Sequence, residues 1–240
     1  MPSSTSPAAA VRARRLFRPL LLAVATAAAI VCAGPAAAAV VYSNDFSVDA
    51  AGFSGADSVQ TAPDGTKFLG FLTLGGTADL TLAGLDPHTS VNLSFDMYAI
   101  RSLDGNHEFC CGPDAFKVTV DDATVLLDST FTTWSGNTQN YPVAGSAHGS
   151  GSIGTSADAF GYGAYFGGAD IYRFSFDIPS TASSIKFSFS GNTDQDWGDE
   201  GFGIDNVKVS TNAVPEPSTY ALMLAGLGLG GLMARRRTRA

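Results

Sequence analysis

The chain has 240 residues, with 14 Lys+Arg against 22 Asp+Glu and a formal net charge of −8. That balance offers no basic face for neutralising phosphates, so a nucleic-acid partner is excluded. Hydrophobic residues at 45%, charged residues at 15% and 27 glycines argue against both a disordered chain and a charge-rich helical enzyme.

The N-terminus reads as a secretory signal over residues 1–39. Arg12, Arg14, Arg15 and Arg18 precede an apolar run of twelve, Leu20 to Val31, and Ala37-Ala38-Ala39 supplies a small-residue cleavage site. Twelve apolar residues are too few for a bilayer core, which needs about 20. The mature chain is expected to begin near Val40, and Cys32 leaves with the signal.

From 40 to 213 helix signals are sparse and period-2 alternation recurs. Val91-Leu93-Phe95-Met97, Phe116-Val118-Val120, Tyr172-Phe174-Phe176-Ile178 and Ile185-Phe187-Phe189 each alternate with polar residues. Each predicts a strand with one buried and one wet face. Shorter strands are expected at Val40 to Phe46, Phe68 to Leu74, Ala78 to Leu82, Val125 to Asp128, and around Val207 and Val209. Asp121-Asp122 reads as the turn of a hairpin. About nine strands in one block predict an all-β, two-sheet β-sandwich, with a jelly roll as the expected form.

Two loops interrupt this pattern. Asp104-Gly105-Asn106-His107-Glu108-Phe109-Cys110-Cys111-Gly112-Pro113-Asp114 leads into the Phe116 strand. In an exported protein Cys110 and Cys111 can close a vicinal disulfide, bridge to another chain, or stay free. Asp114 is a further ligand candidate. His107 with Glu108 or Cys110 lacks an ordered nucleophile, base and orienter, so no catalytic residues are assigned. The stretch from about 130 to 169 holds nine glycines together with Trp134, Tyr141, Tyr162, Tyr165 and Phe166. It is expected to be a mobile insert whose aromatic residues cover a sandwich edge; the alternative is stacking on sugar rings.

Five acids crowd the twelve positions from Asp194 to Asp205. Phe202 and Ile204 share one parity, Val207 and Val209 the other, so an extra residue near Asp205-Asn206 is expected as a β-bulge. Phe-Gly-Ile-Asp-Asn-Val-Lys-Val (202–209) resembles the closing strand of bacterial carbohydrate-binding-like jelly rolls, and Tyr42-Ser43-Asn44-Asp45-Phe46 their opening strand. The resemblance implies that first and last strands pair and that a structural Ca²⁺ lies beside them. It points to Asp45 and Asp205 as ligands, with Asp199 or Glu200 alongside. Trp197, beside these acids, and Trp134 are the candidate sugar contacts.

The C-terminus, 214–240, has three parts: Val214-Pro215-Glu216-Pro217-Ser218-Thr219, an uncharged apolar stretch from Tyr220 to Ala234, and Arg235, Arg236, Arg237 and Arg239. This reads as a transmembrane sorting segment whose basic end stays cytoplasmic. It resembles a PEP-CTERM sorting signal. The resemblance implies export by a Gram-negative bacterium that makes extracellular polysaccharide, and transient inner-membrane anchoring. It also implies recognition of Pro215-Glu216-Pro217 by the transpeptidase exosortase, then release or attachment at the cell surface. The two ends carry eight of the basic residues and one acid, which leaves the core with 6 basic and 21 acidic residues, a charge of −15. Such self-repulsion suggests cation binding, and Ca²⁺ suits an oxygen-rich exported chain; the equal alternative is simple solubility in an acidic coat. The expected role is a non-enzymatic surface or biofilm-matrix protein, structural or adhesive. Extracellular-polysaccharide binding is the alternative, and polysaccharide modification the third reading.

Overall fold

A computed structural model of the protein describes residues 38–55, 58–107, 111–163, 167–214 and 217–237. The stretch predicted as a signal peptide, apart from Ala38 and Ala39, and Cys110, Tyr165, Phe166, Pro215 and Glu216 therefore lie outside the described residues. The strands run in chain order as β1 (Ala38–Asn44), β2 (Phe53–Gly55), β3 (Ser58–Thr61), β4 (Lys67–Leu72), β5 (Gly76–Ala83), β6 (His88–Arg101) and β7 (Ala115–Val120). They continue as β8 (Thr124–Thr130), β9 (Thr138–Gln139), β10 (Ser146–Ala147), β11 (Gly154–Ser156), β12 (Ala169–Pro179), β13 (Ser184–Asn192) and β14 (Glu200–Ala213), followed by helix α1 (Pro217–Arg237). Ala33–Tyr220 forms one compact unit, and residues from Ala221 onward belong to another.

The first unit is a β-sandwich. Its larger sheet has the order β11-β12-β6-β14-β4-β3, with β1 also paired to β14; the smaller has the order β2-β5-β13-β7-β8. The chain passes from one sheet to the other between β1 and β2, β2 and β3, β4 and β5, β5 and β6, β6 and β7, β8 and β11, β12 and β13, and β13 and β14, a jelly-roll-like path. All nine predicted strands form. Five more have only two to four residues each, too short to show an alternation. Asp121 and Asp122 make the β7–β8 turn with φ of 51° and 57°, a left-handed conformation that Asp tolerates better than most residues.

Two long-range expectations hold. β1 pairs antiparallel with β14, Asn44 opposite Val207. Along β14, Asp205 faces Asp96 but Lys208 faces Ser94, so three residue steps match two, and Asn206 takes the bulge with φ 52°. The bulge keeps Phe202, Ile204, Val207 and Val209 all buried in the core.

That core lies between the sheets. Val91, Leu93, Phe95 and Met97 of β6 meet Phe116 and Val118 of β7 and Phe187 and Phe189 of β13, all buried. The outer face of the larger sheet departs from the wet face that alternation predicts. Tyr98 and Ile100 are buried there with Phe68, Ala62, Ala159, Phe160 and Ala169. The cause is the glycine-rich stretch, which crosses this face rather than only an edge and ties on through Asp64 N–H donating to Phe160 O at 3.1 Å. The alternation along β6 says nothing about a distant segment covering it.

Helix α1 ends in Arg235, Arg236 and Arg237. Among the described residues no helix is long and apolar enough to cross a membrane; the uncharged part of α1 is interrupted by Gly226, Gly228, Gly230 and Gly231. From Tyr220 to Ala234 it rises only about 22 Å, against a hydrocarbon core of about 30 Å.

Candidate functional site

The two acidic loops that stand about ninety residues apart in sequence converge at one end of the sandwich. Register does this: Glu200, the first residue of β14, lies opposite Arg101, the last of β6. Asp104 follows β6 and bridges to Thr132, while Asp114 stands directly before β7 in the other sheet. Carboxylate oxygens of Asp104, Asp114 and Glu200 all come within 4.8 Å of one another.

The backbone holds this arrangement tightly. Asp104 N–H donates to Asp114 Oδ2 at 2.5 Å, and Asp114 N–H donates to Gly105 O at 3.0 Å. Gly105 sits at φ +67°, and a Cβ there would come within 2.5 Å of Thr138 O, so the turn has room only for glycine. Asn137 Nδ2 donates to Asp104 Oδ1 at 3.0 Å, and Gln195 N–H donates to Glu200 Oε1 at 3.2 Å. Asp114 and Glu200 are fully buried, and Asp114 Oδ1 and Glu200 Oε2 have no hydrogen-bond partner among the described residues.

Burial raises the pKa of Glu200 well above the carboxylate range, and the charge of Asp114 beside it adds to the shift. Burial likewise raises Asp114, with the charges of Asp194 and Asp104 adding. Asp104 is also raised, first by burial. Two adjacent buried carboxyl groups cannot both stay ionised unless a cation joins them; otherwise they keep a proton between them.

The residues predicted as Ca²⁺ ligands do not form one set. Only Glu200 reaches this junction. Asp199 contributes its carbonyl, which accepts from Ser102 Oγ at 3.1 Å. Asp45 is exposed and accepts from Ser47 N–H at 3.0 Å. Asp205 lies on the outer face of the bulge, where Tyr98 Oη donates to it at 2.8 Å and Asn206 N–H at 2.6 Å. Its neighbour Asp96 takes a two-pronged contact from Arg173, Nε at 2.7 Å and Nη2 at 2.9 Å, and a bond from Asn206 Nδ2 at 2.9 Å. Burial raises the Asp205 pKa, with the charges of Asp96 and Asp45 adding. Beside Asp205, then, the cation is a guanidinium, and Asp205's oxygens are already engaged by Tyr98 and Asn206. Sequence reasoning placed Asp114 among the candidates but gave Asp104 no role; only the carboxylate density of its loop marked it.

Among the described residues, the Asp194–Asp199 loop also carries the most exposed aromatic side chain. Trp197 is 57% exposed and stacks on Phe71, centroids 5.7 Å apart and planes 18° from parallel. Tyr162 meets Phe71 edge-on at 5.6 Å, and Arg101 Nη1 donates to Trp197 O at 3.1 Å. Trp134 is half-buried in the glycine-rich stretch. Cys111 is disulfide-bonded.

Residues 213–237 match the family model of the PEP-CTERM protein-sorting motif. No curated protein matches the sequence significantly. Among solved structures, the chain is similar to an exo-β-1,3-galactanase from Phanerochaete chrysosporium, with TM-score 0.35 and 11% identity over 71% of this chain. This chain spans only 29% of that enzyme's length. It is also similar to the CBM22-1 xylan-binding domain of Xyn10C from Paenibacillus barcinonensis, with TM-score 0.38, 13% identity, and 75% and 98% of the two chains covered. A third is the C-terminal CBM6 of LamC from Zobellia galactanivorans, with TM-score 0.32, 12% identity, and 72% and 92% covered.

Proposed function

We propose that this chain, which carries a PEP-CTERM sorting motif behind a jelly-roll-like β-sandwich, is an exported, non-catalytic protein of the cell surface or biofilm matrix. The motif at 213–237 carries the reading. A proline-flanked acid, a short glycine-rich helix and a basic end form a segment suited to brief membrane retention and removal by exosortase. Its uncharged stretch, Tyr220 to Ala234, is short for a permanent span. A non-catalytic role is supported by the junction itself: Asp114 and Glu200 are fully buried, so neither reaches a substrate oxygen. The test is mass spectrometry of the protein recovered from culture supernatant and envelope. The recovered product should lack the Arg235–Arg237 peptide, and a Glu216→Ala variant should accumulate at precursor length in the membrane fraction. Full-length precursor as the end product of the natural sequence defeats this reading.

One observation favours polysaccharide as the partner. Trp197 presents an open ring face backed by Phe71 and flanked by Tyr162, the rigid apolar surface on which a pyranose ring stacks. Trp197→Ala should weaken retardation of the protein in gels containing the host's extracellular polysaccharide by about tenfold, equivalent to about 1.4 kcal/mol. Its melting temperature should stay within about 2 °C of the parent, because an exposed ring contributes little to folding. Unchanged mobility of both proteins removes the glycan reading and leaves the sorting reading intact.

A further inference from the structure

We infer that Asp104, Asp114 and Glu200 hold a divalent cation of the calcium type, and that this ion ties the Trp197 loop to the strand ends of both sheets. Two independent observations carry this. The first is convergence: three carboxylates from separate segments place oxygens within 4.8 Å of one another. Two ligands on opposite sides of a Ca²⁺ lie about 5 Å apart at most, given bonds of about 2.3–2.6 Å, so one ion can reach all three. The second is the pair of orphaned oxygens. Asp114 Oδ1 and Glu200 Oε2 are buried in fully enclosed side chains without a hydrogen-bond donor among the described residues. Buried polar atoms are almost always satisfied, and a carboxylate pair with no other donor is satisfied by a cation or by a proton held between its members.

The donor set selects the kind of ion. It is all carboxylate oxygen, with neither sulfur nor imidazole in the group, which suits a hard cation rather than zinc. The charge of the region agrees, since the core carries −15 with only six basic residues. The nearby guanidinium of Arg101 is directed to Trp197 O rather than to the carboxylates. This place is distinct from the Asp45–Asp205 region, where Tyr98, Asn206 and Arg173 already meet the carboxylates.

The ion also has a mechanical consequence. Glu200 closes the loop that begins at Thr193, and its Oε1 accepts from Gln195 N–H within that loop. Thr193 Oγ1 in turn accepts from Leu74 N–H at 3.2 Å and donates to Gln195 O at 2.7 Å. Fixing Glu200 to Asp104 and Asp114 therefore fixes the base on which Trp197 stands.

The experiment uses the protein purified from its host, treated with chelator and then titrated with CaCl₂. Calorimetry should show saturable binding, and millimolar Ca²⁺ should raise the melting temperature by about 5 °C or more. Protease nicking between Thr193 and Asp199 should be faster in chelator than in Ca²⁺. Asp114→Asn and Glu200→Gln should each abolish the calcium-dependent shift, while Asp128→Asn, an exposed acid paired with Lys117, should keep it. Should the single variants fail to fold, the chelator comparison on the natural protein still decides. No heat and no thermal shift there would overturn the inference and identify a carboxyl pair sharing a proton only. A shift retained in Glu200→Gln, or lost in Asp128→Asn, would place the ion elsewhere and overturn it too. Equal nicking in chelator and Ca²⁺ overturns the loop-tying half.

Discussion

Phe95→Ala should destabilise the sandwich by about 3–5 kcal/mol, the usual cost of emptying a buried aromatic site. Phe95 is 1% exposed and lies where the two sheets face each other. Its ring meets Phe189 edge-on at 5.1 Å and lies 6.3 Å from Phe116, both in the smaller sheet, and 5.3 Å from Phe174 on the adjacent strand. Truncation opens a void bordered by rings from both sheets, whose strands are held in register and cannot collapse into it. Against the typical total of about 5–15 kcal/mol for a domain, this removes about a fifth of the stability or more. Thermal unfolding followed by circular dichroism should show a fall of about 10 °C. Phe95→Leu, which refills most of the volume, should recover more than half of it. A fall below about 2 °C in the alanine variant would mean that the sheets close over the gap and that Phe95 is not the hub of the core.

Gly191→Ala should cost about 3 kcal/mol, at the upper end of what overpacking does. Gly191 lies in β13 opposite Gly76 and Phe116, in ordinary strand conformation, so alanine meets no backbone penalty. What it lacks is space: a Cβ would come within 2.2 Å of Leu72 O and 2.6 Å of Leu72 C in β4, the point where one sheet presses on the other. Backbone cannot swing aside as a side-chain tip can, so β4 and β13 must separate. The same strand leads through Thr193 into the acidic loop, and Gly75 N–H donates to Gly191 O at 2.9 Å. The variant should therefore unfold at lower urea and should also lose part of any calcium-dependent stabilisation. Gly65→Ala offers a control with open space around the added methyl, although its φ of +93° carries a strain of its own. Equal urea midpoints for Gly191→Ala and the parent would refute the close approach of the sheets.

Much of the architecture is readable along the chain because it rests on local alternation. The strands of Phe116–Val120 and Ile185–Phe189 bury the residues their period predicts. The bulge at Asn206 is visible as a parity change between Ile204 and Val207 before any partner strand is known. The Asp121-Asp122 turn follows from two adjacent residues that accept positive φ. Short strands such as Phe53–Gly55 escape notice because three residues cannot establish a period.

The sequence by itself determined the fold class, the PEP-CTERM sorting motif, and the acidity of the stretch that precedes it. All three depend on periodicity, composition or contiguous motifs, which need no knowledge of distant neighbours. The tertiary structure alone decided which acids meet. Glu200 belongs with Asp104 and Asp114, not with Asp45 and Asp205, because β14 pairs with β6 in a register that sets Glu200 against Arg101. It also decided that Arg173 neutralises the bulge and that Trp197 rests on Phe71. These are contacts between segments tens of residues apart, and their geometry exists only once two sheets have closed around a common core.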